Sequence, residues 1–437
     1  MIVKNEEANL PICLRSAADL VDEVIVVDTG STDRTRDIAR QFGARVYDFP
    51  WVDSFAAARN ESLRHATGAW IFWLDADDRL DDENRRKLAA LFASLPDELG
   101  AYSMKCVCLP DPQSTSGTVV DHVRLFRNHP DIRWQYRVHE QILPAIRRQG
   151  GVVRAVDITI HHAGYQDPAL SGHKQKRNLR LLHLDQADFP DDPFILFNLG
   201  WAYEEMGRSA EALPLLGRSL QRSHPADSIV RKLFALIMDC HRRLGHVQEA
   251  LAACQEGRKY YPDDTLLLFQ EALLREENGD LPGAIACLQR LLETQEPEHF
   301  SSVAEGLRGF RARHQLAVLY HRQGRGAEAE AQWRAAITER PDYAPAWLGL
   351  GELLVSQGRW AELEAFSRRL ETGEGPRGQV HAAYLRARGC LTRKDAAGAR
   401  QTAEAAAARF PREAMLWIVL SHALLQEGAD GETTERV

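Results

Sequence analysis

Short uninterrupted apolar runs alternate with amphipathic stretches up to about residue 165, and from about residue 190 the pattern becomes Ala, Leu, Arg and Glu at helical spacing. Val24-Ile25-Val26-Val27 is wholly apolar, as expected of a strand covered on both faces, and it stops at Asp28. Thr29-Gly30-Ser31-Thr32 predicts a turn into a helix beginning near Asp33, with Ser31, Thr32 and Asp33 all competent N-caps. Residues 44–49 read as a second strand and 54–66 as a helix. Trp70-Ile71-Phe72-Trp73-Leu74 is a further strand, halted at Asp75. Strand and helix alternating in this order predicts parallel pairing through right-handed crossovers. Asp28 and Asp75 would then meet at the strand ends, where open α/β sheets bind ligands.

The second half repeats itself. Gly245 and Gly279, Ala250 and Ala284, and Gly324 and Gly358 are each 34 residues apart. Each glycine follows an apolar helical stretch, a small residue stands about five positions on, and Pro225, Pro262, Pro297, Pro341, Pro376 and Pro411 close most repeats. Leu199-Gly200-Trp201-Ala202-Tyr203 with Gly207 and Ala212, and the stretch 316–341, resemble the tetratricopeptide consensus. About six helical hairpins are expected, with an insertion near residues 298–308 and a final helix over 413–426. The fold class expected is an α/β domain followed by an all-α tetratricopeptide (TPR) solenoid. The boundaries expected are 1–165 for the first domain, 166–192 for a helical linker and 193–437 for the repeats.

Composition narrows the choice. At 437 residues the chain is long enough for two or three cores. A net charge of −8 with Lys and Arg dispersed argues against a nucleic-acid partner. No apolar run approaches the ~20 residues of a membrane span. The seven cysteines include no CxxC pair, which points to buried free thiols and a cytoplasmic setting. Cys106 and Cys108, two apart on a strand, would face the same side.

Asp75-Ala76-Asp77-Asp78 follows a buried strand, and carboxylates fixed there can share one hard cation, Mn²⁺ or Mg²⁺. Asp78 is read instead as part of a solvated acidic loop ahead of the helix that starts after Asp81. Met-Ile-Val-Lys-Asn-Glu-Glu at 1–7, Val-Val-Asp-Thr-Gly-Ser-Thr-Asp at 26–33, Ala-Ala-Arg-Asn at 57–60 and Trp-Leu-Asp-Ala-Asp-Asp at 73–78 stand in an order that resembles the family 2 glycosyltransferases of GT-A fold. The bacteriocin S-glycosyltransferases are similar in joining such a domain to tetratricopeptide repeats. The resemblance implies that Asp28 binds the nucleotide base, that Arg59 lies near the diphosphate, that Asp75 tends to the ribose and that Asp77 binds the metal. In the family the first strand begins several residues before Ile-Val-Lys-Asn, so a short first strand is expected here.

Val123-Arg124-Leu125-Phe126-Arg127 leading to Arg137-Val138-His139-Glu140 looks like the family's acceptor-side signature, which makes Glu140 the candidate general base, its competing role being a structural partner of Arg124 or Arg127. His162, two residues before Gly164-Tyr165, matches a histidine that approaches the metal or diphosphate, while His161 points elsewhere. The expected activity is inverting, metal-dependent transfer from a nucleotide-diphosphate sugar, UDP-sugar favoured, to a protein or peptide acceptor held partly by the repeats. The sugar expected is a hexose or N-acetylhexosamine; a lipid-linked or polysaccharide acceptor, and an inert scaffold, are the competing readings. Homo-oligomerisation is left open.

Overall fold

The computed structural model describes residues 1–108, 118–163, 168–294, 302–304, 306–373 and 375–428. The chain divides into two compact units, Met1–Gln270 with Gln295–Glu305, and Glu271–Thr294 with Gly306–Val437.

In the first unit the order is β1 (Ile2–Val3), α1 (Leu10–Ala17), β2 (Ile25–Asp28), α2 (Thr35–Gln41), β3 (Arg45–Asp48), α3 (Phe55–His65), β4 (Trp70–Phe72), β5 (Asp78–Arg79), α4 (Asp82–Phe92), β6 (Gly100–Cys108), β7 (Thr118–Arg127), α5 (Leu143–Arg148), β8 (Val152–His162) and α6 (Pro168–Asp188). Strands β1, β2 and β3 form a parallel sheet in that order, and every residue of β2 is buried, as its unbroken apolar run requires. Strand β1 is only two residues long. Helix α2 begins two residues later than expected because the Asp33 carboxylate is used ahead of it, accepting the N–H groups of Thr35 at 3.0 Å and Glu7 at 3.1 Å.

The expectation that 70–74 would lie parallel to the first strands is corrected. Strand β4 runs antiparallel to β7, in a second sheet of order β4-β7-β6-β8-β5. The long ladder of β6, β7 and β8 offers β4 an open edge, and the Trp73 N–H continues the pairing to the Arg124 carbonyl at 3.1 Å. The insertion between repeats supplies β9 (Ser302–Ala304), which pairs antiparallel with the start of β7.

The expectation for Asp78 is also corrected. Asp78 is fully buried, and Arg124, 1% exposed, donates to its Oδ2 from Nη1 at 2.7 Å. The same Oδ2 accepts the Asp75 N–H at 2.8 Å, and Oδ1 contacts His162 Nδ1 at 2.9 Å. Helix α4 is capped by Asp81, whose Oδ1 accepts the Asn84 N–H at 2.8 Å. Asp78 therefore joins β5, β7 and β8 from inside.

The helical hairpins are α7 (Pro193–Glu205) with α8 (Ser209–Arg222), α9 (Val230–Arg243) with α10 (Val247–Tyr260), α11 (Thr265–Glu277) with α12 (Leu281–Glu293), α13 (Phe310–Arg322) with α14 (Gly326–Glu339), α15 (Ala344–Ser356) with α16 (Trp360–Gly373), and α17 (Gly375–Thr392) with α18 (Ala396–Arg409), followed by α19 (Ala414–Gln426). The recurring glycines make the turns: Gly207, Gly245, Gly279, Gly324 and Gly358 all have φ between +68° and +81°. The small residues five positions on, Ala212, Ala250, Ala284 and Ala329, are completely buried. A Cβ on Gly200 would stand 2.6 Å from Leu216, so this glycine sets how closely α7 approaches α8. Closing prolines serve as acceptors: the Trp347 indole donates to the Pro341 carbonyl at 2.6 Å, and the Trp417 indole to that of Pro411 at 2.9 Å.

Two predictions follow from this packing. In the turn between α17 and α18 the left-handed position is held by Lys394, φ 62°, instead of glycine. Lys394→Gly relieves a strain of about 1 kcal/mol, and the melting temperature of the full chain should rise by about 1 °C in calorimetry. Asp78→Ala leaves the Arg124 charge buried and alone, and should destabilise the chain by about 3–5 kcal/mol in urea unfolding; adding Arg124→Met should restore part of that loss.

Candidate functional site

Three carboxylates and one imidazole converge where β4, β5 and β8 end. One ligand-competent atom from each of Asp75, Asp77, Asp78 and His162 lies within 4.8 Å of the others. The register explains the convergence. Asp78 is opposite His162 across the β5–β8 pair, and the Ala163 N–H donates to the Asp77 carbonyl at 3.1 Å, fixing the intervening turn against β8.

Arg59, on α3, is the cation between the two sides of the site. It donates from Nε to Glu140 Oε1 at 2.6 Å and from Nη2 to Asp75 Oδ1 at 2.8 Å. Its guanidinium carbon sits 4.3 Å from the ring centre of Trp73 and 5.2 Å from that of Trp134. Glu140 is thus paired with Arg59, not with Arg124 or Arg127. Burial alone would lower the Arg59 pKa, but Asp75 and Glu140 outweigh it and hold the charge firmly. For Asp75, burial would favour protonation, yet Arg59 and Arg124 keep the carboxyl well below the usual carboxylate range.

Asp77 differs. Burial raises its pKa, and the neighbouring Asp75 and Asp78 add to that, opposed by His162, whose Nδ1 is 3.5 Å from Asp77 Oδ1. Burial acts to lower the His162 pKa, but the Asp78 hydrogen bond and the charges of Asp77 and Asp75 raise it to about 9. His161 turns to Asp81, with Nε2 3.4 Å from Oδ2. Gly164 and Tyr165, used to place His162 in the sequence, lie outside the described residues.

Asp28 is buried at the end of β2, with its carboxylate engaged locally. It accepts the N–H groups of Gly30 at 3.1 Å and Ser31 at 3.0 Å, and Arg36 Nε at 2.8 Å. Burial would raise its pKa, and these hydrogen bonds reverse that and lower it. Neither it nor Asp77 lines the cavity that Arg59, Asp75, Glu140 and His162 share.

That cavity, about 540 Å³, lies within the first unit and opens onto Asp75, Glu140 and His162. Its walls include residues that the sequence did not single out. His122 on β7 is driven by burial and by Arg124 to a pKa of about 3, so it stays neutral. Cys106 and Cys108 both line the cavity, as their spacing on a strand predicts, and Arg124 Nη2 reaches the Cys106 sulfur at 3.4 Å. Phe197, Trp201 and Lys232, from α7 and α9, also line the cavity.

The Glu140 loop is held from both sides. The Arg137 N–H donates to Asp185 Oδ2 on α6 at 2.9 Å, and the Arg137 carbonyl accepts the Phe55 N–H at 2.8 Å. The Tyr136 hydroxyl reaches Asp192 at 3.2 Å. Tyr136 and His139 both have positive φ, 69° and 56°, a backbone strain that these anchors sustain. Val138 packs with Leu181, Leu182, Ile195 and Leu199 of α6 and α7.

Glycosyl transferase family 2 matches residues 1–105, and Tetratricopeptide repeat matches residues 195–227, 239–299 and 314–376. A TPR repeat-containing protein of Synechococcus elongatus is 34% identical over 269 residues, 59% of this chain and 65% of that protein. The SPbeta prophage-derived glycosyltransferase SunS of Bacillus subtilis is 29% identical over 251 residues, 55% of this chain and 57% of that protein. The chain thus spans less than two thirds of the length of these curated relatives. A solved tetratricopeptide repeat protein from Parabacteroides merdae covers 58% of this chain and 94% of its own, with 19% identity and a TM-score of 0.42. No helix among the described residues is long and apolar enough to cross a membrane. With strand-end carboxylates inside the first matched segment and glycine-turned helical hairpins across the others, the chain carries a family 2 glycosyltransferase domain at its N-terminus followed by C-terminal tetratricopeptide repeats.

Proposed function

We propose that the protein is a glycosyltransferase that moves a sugar from a nucleotide-diphosphate donor, a UDP-sugar first, to a protein or peptide acceptor, with inversion. The observation that carries this reading is Arg59, which ties the nucleotide-side acid Asp75 and the candidate base Glu140 to one buried cation at 2.8 and 2.6 Å. Donor and acceptor chemistry are thereby held in fixed register beside the same cavity.

The donor set suits Mn²⁺ or Mg²⁺. It is rich in oxygen with one imidazole, and Asp77 is a carboxylate whose negative form is disfavoured by burial and like-charged neighbours, a condition that a nearby cation relieves. Asp77, with His162 once the ion displaces its Nε2 proton, would hold such an ion, while Asp78 is committed to Arg124 and positions the His162 ring. When bound, the ion neutralises charge on the departing diphosphate. Asp75 orients the nucleotide, with Asp28 proposed at the base on the neighbouring sheet edge. Glu140, kept in place by Arg59, accepts the proton from the acceptor's nucleophilic atom as that atom attacks the anomeric carbon from the face opposite the diphosphate. The tetratricopeptide hairpins hold the acceptor. The domain limits 1–165, 166–192 and 193–437, and a cytoplasmic setting, belong to the same reading.

Nucleotide sugars incubated with the wild-type chain and Mn²⁺ should release nucleoside diphosphate, and Asp77→Ala should lower that rate at least about 100-fold. Calorimetry should show metal-dependent UDP binding that Asp77→Ala weakens. Glu140→Gln should retain UDP binding while transfer to acceptor falls by about 10²–10⁴. If UDP binds without regard to metal and no donor is turned over, the inert-scaffold reading stands instead.

A further inference from the structure

The cavity lining also contains an ammonium group that has no acceptor among the described residues. Lys232 Nζ lies 3.3 Å from the ring centre of Trp201, and among the described residues it forms no hydrogen bond or ion pair. Burial lowers its pKa to about 8, with Glu205 and Glu204 opposing, so it is charged at neutral pH. Of the two nearby acids, Glu204 pairs with Arg243 at 2.7 Å, and among the described residues neither pairs with Lys232. The neighbouring Arg231 is paired with Asp264 at 3.1 Å. An ammonium has three donors, and among the described residues none of those on Lys232 meets an acceptor.

Its distance from the chemistry is bounded. The Trp201 ring stacks on that of His139, the residue preceding Glu140, with centres 6.5 Å apart. Lys232 Nζ is therefore within about 10 Å of the His139 ring, which an extended peptide at ~3.3 Å per residue covers in about three residues.

Resting on the glycosyltransferase reading, we infer that Lys232 and Trp201 form an acceptor-recognition subsite, which selects a polypeptide bearing an acidic side chain within about three residues of the modified one. The carboxylate pairs with Lys232, and its aliphatic stem lies along Trp201 and Phe197. This makes α7 and α9 part of the specificity of the site and predicts a sequence preference in the acceptor. Lys232 is a specificity residue, and the proton transfer stays with Glu140.

The test uses the full chain and fluorescein-labelled twelve-residue Gly/Ser peptides with a central Ser or Cys. Glu, Gln or Lys is placed at each of the three positions on either side, and binding is read by polarisation with UDP and Mn²⁺ present. Glu peptides should bind about tenfold more tightly than Lys peptides, and the gap should narrow in high salt. Lys232→Glu should reverse the order, and the nearly isosteric Lys232→Met should abolish it. Reversal cannot come from misfolding, and if the charge-reversed chain does not fold, the Met variant decides. Equal binding by all peptides, no binding by any, or an unchanged preference in the variants overturns the inference. So does a Met variant that loses affinity for UDP but keeps the peptide preference, since the group bound at Lys232 is then a donor phosphate. Because binding is read without turnover, a chain that selects Glu peptides yet transfers no sugar keeps the subsite and loses the enzymatic reading. Transfer that ignores the acidic residue does the opposite.

Discussion

A single ion pair sealed from water, Arg124 on Asp78, sets the geometry on which the rest of the site depends. Strand β5 is two residues long and has too few ladder hydrogen bonds to fix itself. Its place comes from the Asp78 side chain, which gives one oxygen to Arg124 on β7 and the Asp75 amide, and the other to His162 on β8. Two buried charges are costly to desolvate, and such a pair persists only when the remaining lone pairs and protons are also satisfied. Asp78 meets that condition. Arg124 adds the face of Trp73, 3.9 Å from its guanidinium carbon, although its Nε has no partner among the described residues. The pair is therefore better understood as a device for registering three strand ends than as a source of stability.

From this fixed point the charges of the site can be counted. Asp75, Asp77, Asp78 and Glu140 face Arg59, Arg124 and a protonated His162. Arg124 is taken by Asp78, and Arg59 is divided between Asp75 and Glu140. Asp77 is left with His162 at 3.5 Å, the longest of these contacts, and it is the carboxyl whose pKa burial raises. A cluster that is one positive charge short at a partly exposed carboxylate is what the proposed cation site requires. The deficit falls on Asp77 because the better-placed acids already hold their arginines.

Much of the architecture was legible because it rests on local rules. An apolar run stopping at an acid gave β2, the 34-residue spacing gave the hairpins, and the glycine positions gave the left-handed turns, with φ near +70° where they were expected. What was not legible depends on pairing across distance. Nothing in Trp70–Phe72 specifies that its partner is β7, because an apolar strand fits any open edge of suitable register. Asp78 was misread for a related reason. Its neighbours in sequence are acids of a helix start, and only Arg124, 46 residues away, makes it a core residue. Arg59 and Glu140 could each be found by motif, but their bond spans 81 residues and no spacing rule reports it.

The helices following the α/β framework contribute to the site in a way that a domain boundary would hide. The loop that carries Glu140 contains two non-glycine residues with positive φ, so it would relax if released. Its anchors come from two directions. On one side α3 supplies Phe55 and Arg59; on the other, α6 and α7 supply Asp185, Asp192 and the apolar contacts around Val138. Removing either set frees Glu140 from its position beside Asp75. The first helical hairpin is thus part of what holds the candidate base, and the same helix α7 presents Trp201 to the cavity. On the proposed reading, an acceptor that touches this helix would also touch the support of the base, and recognition and chemistry would share one mechanical element.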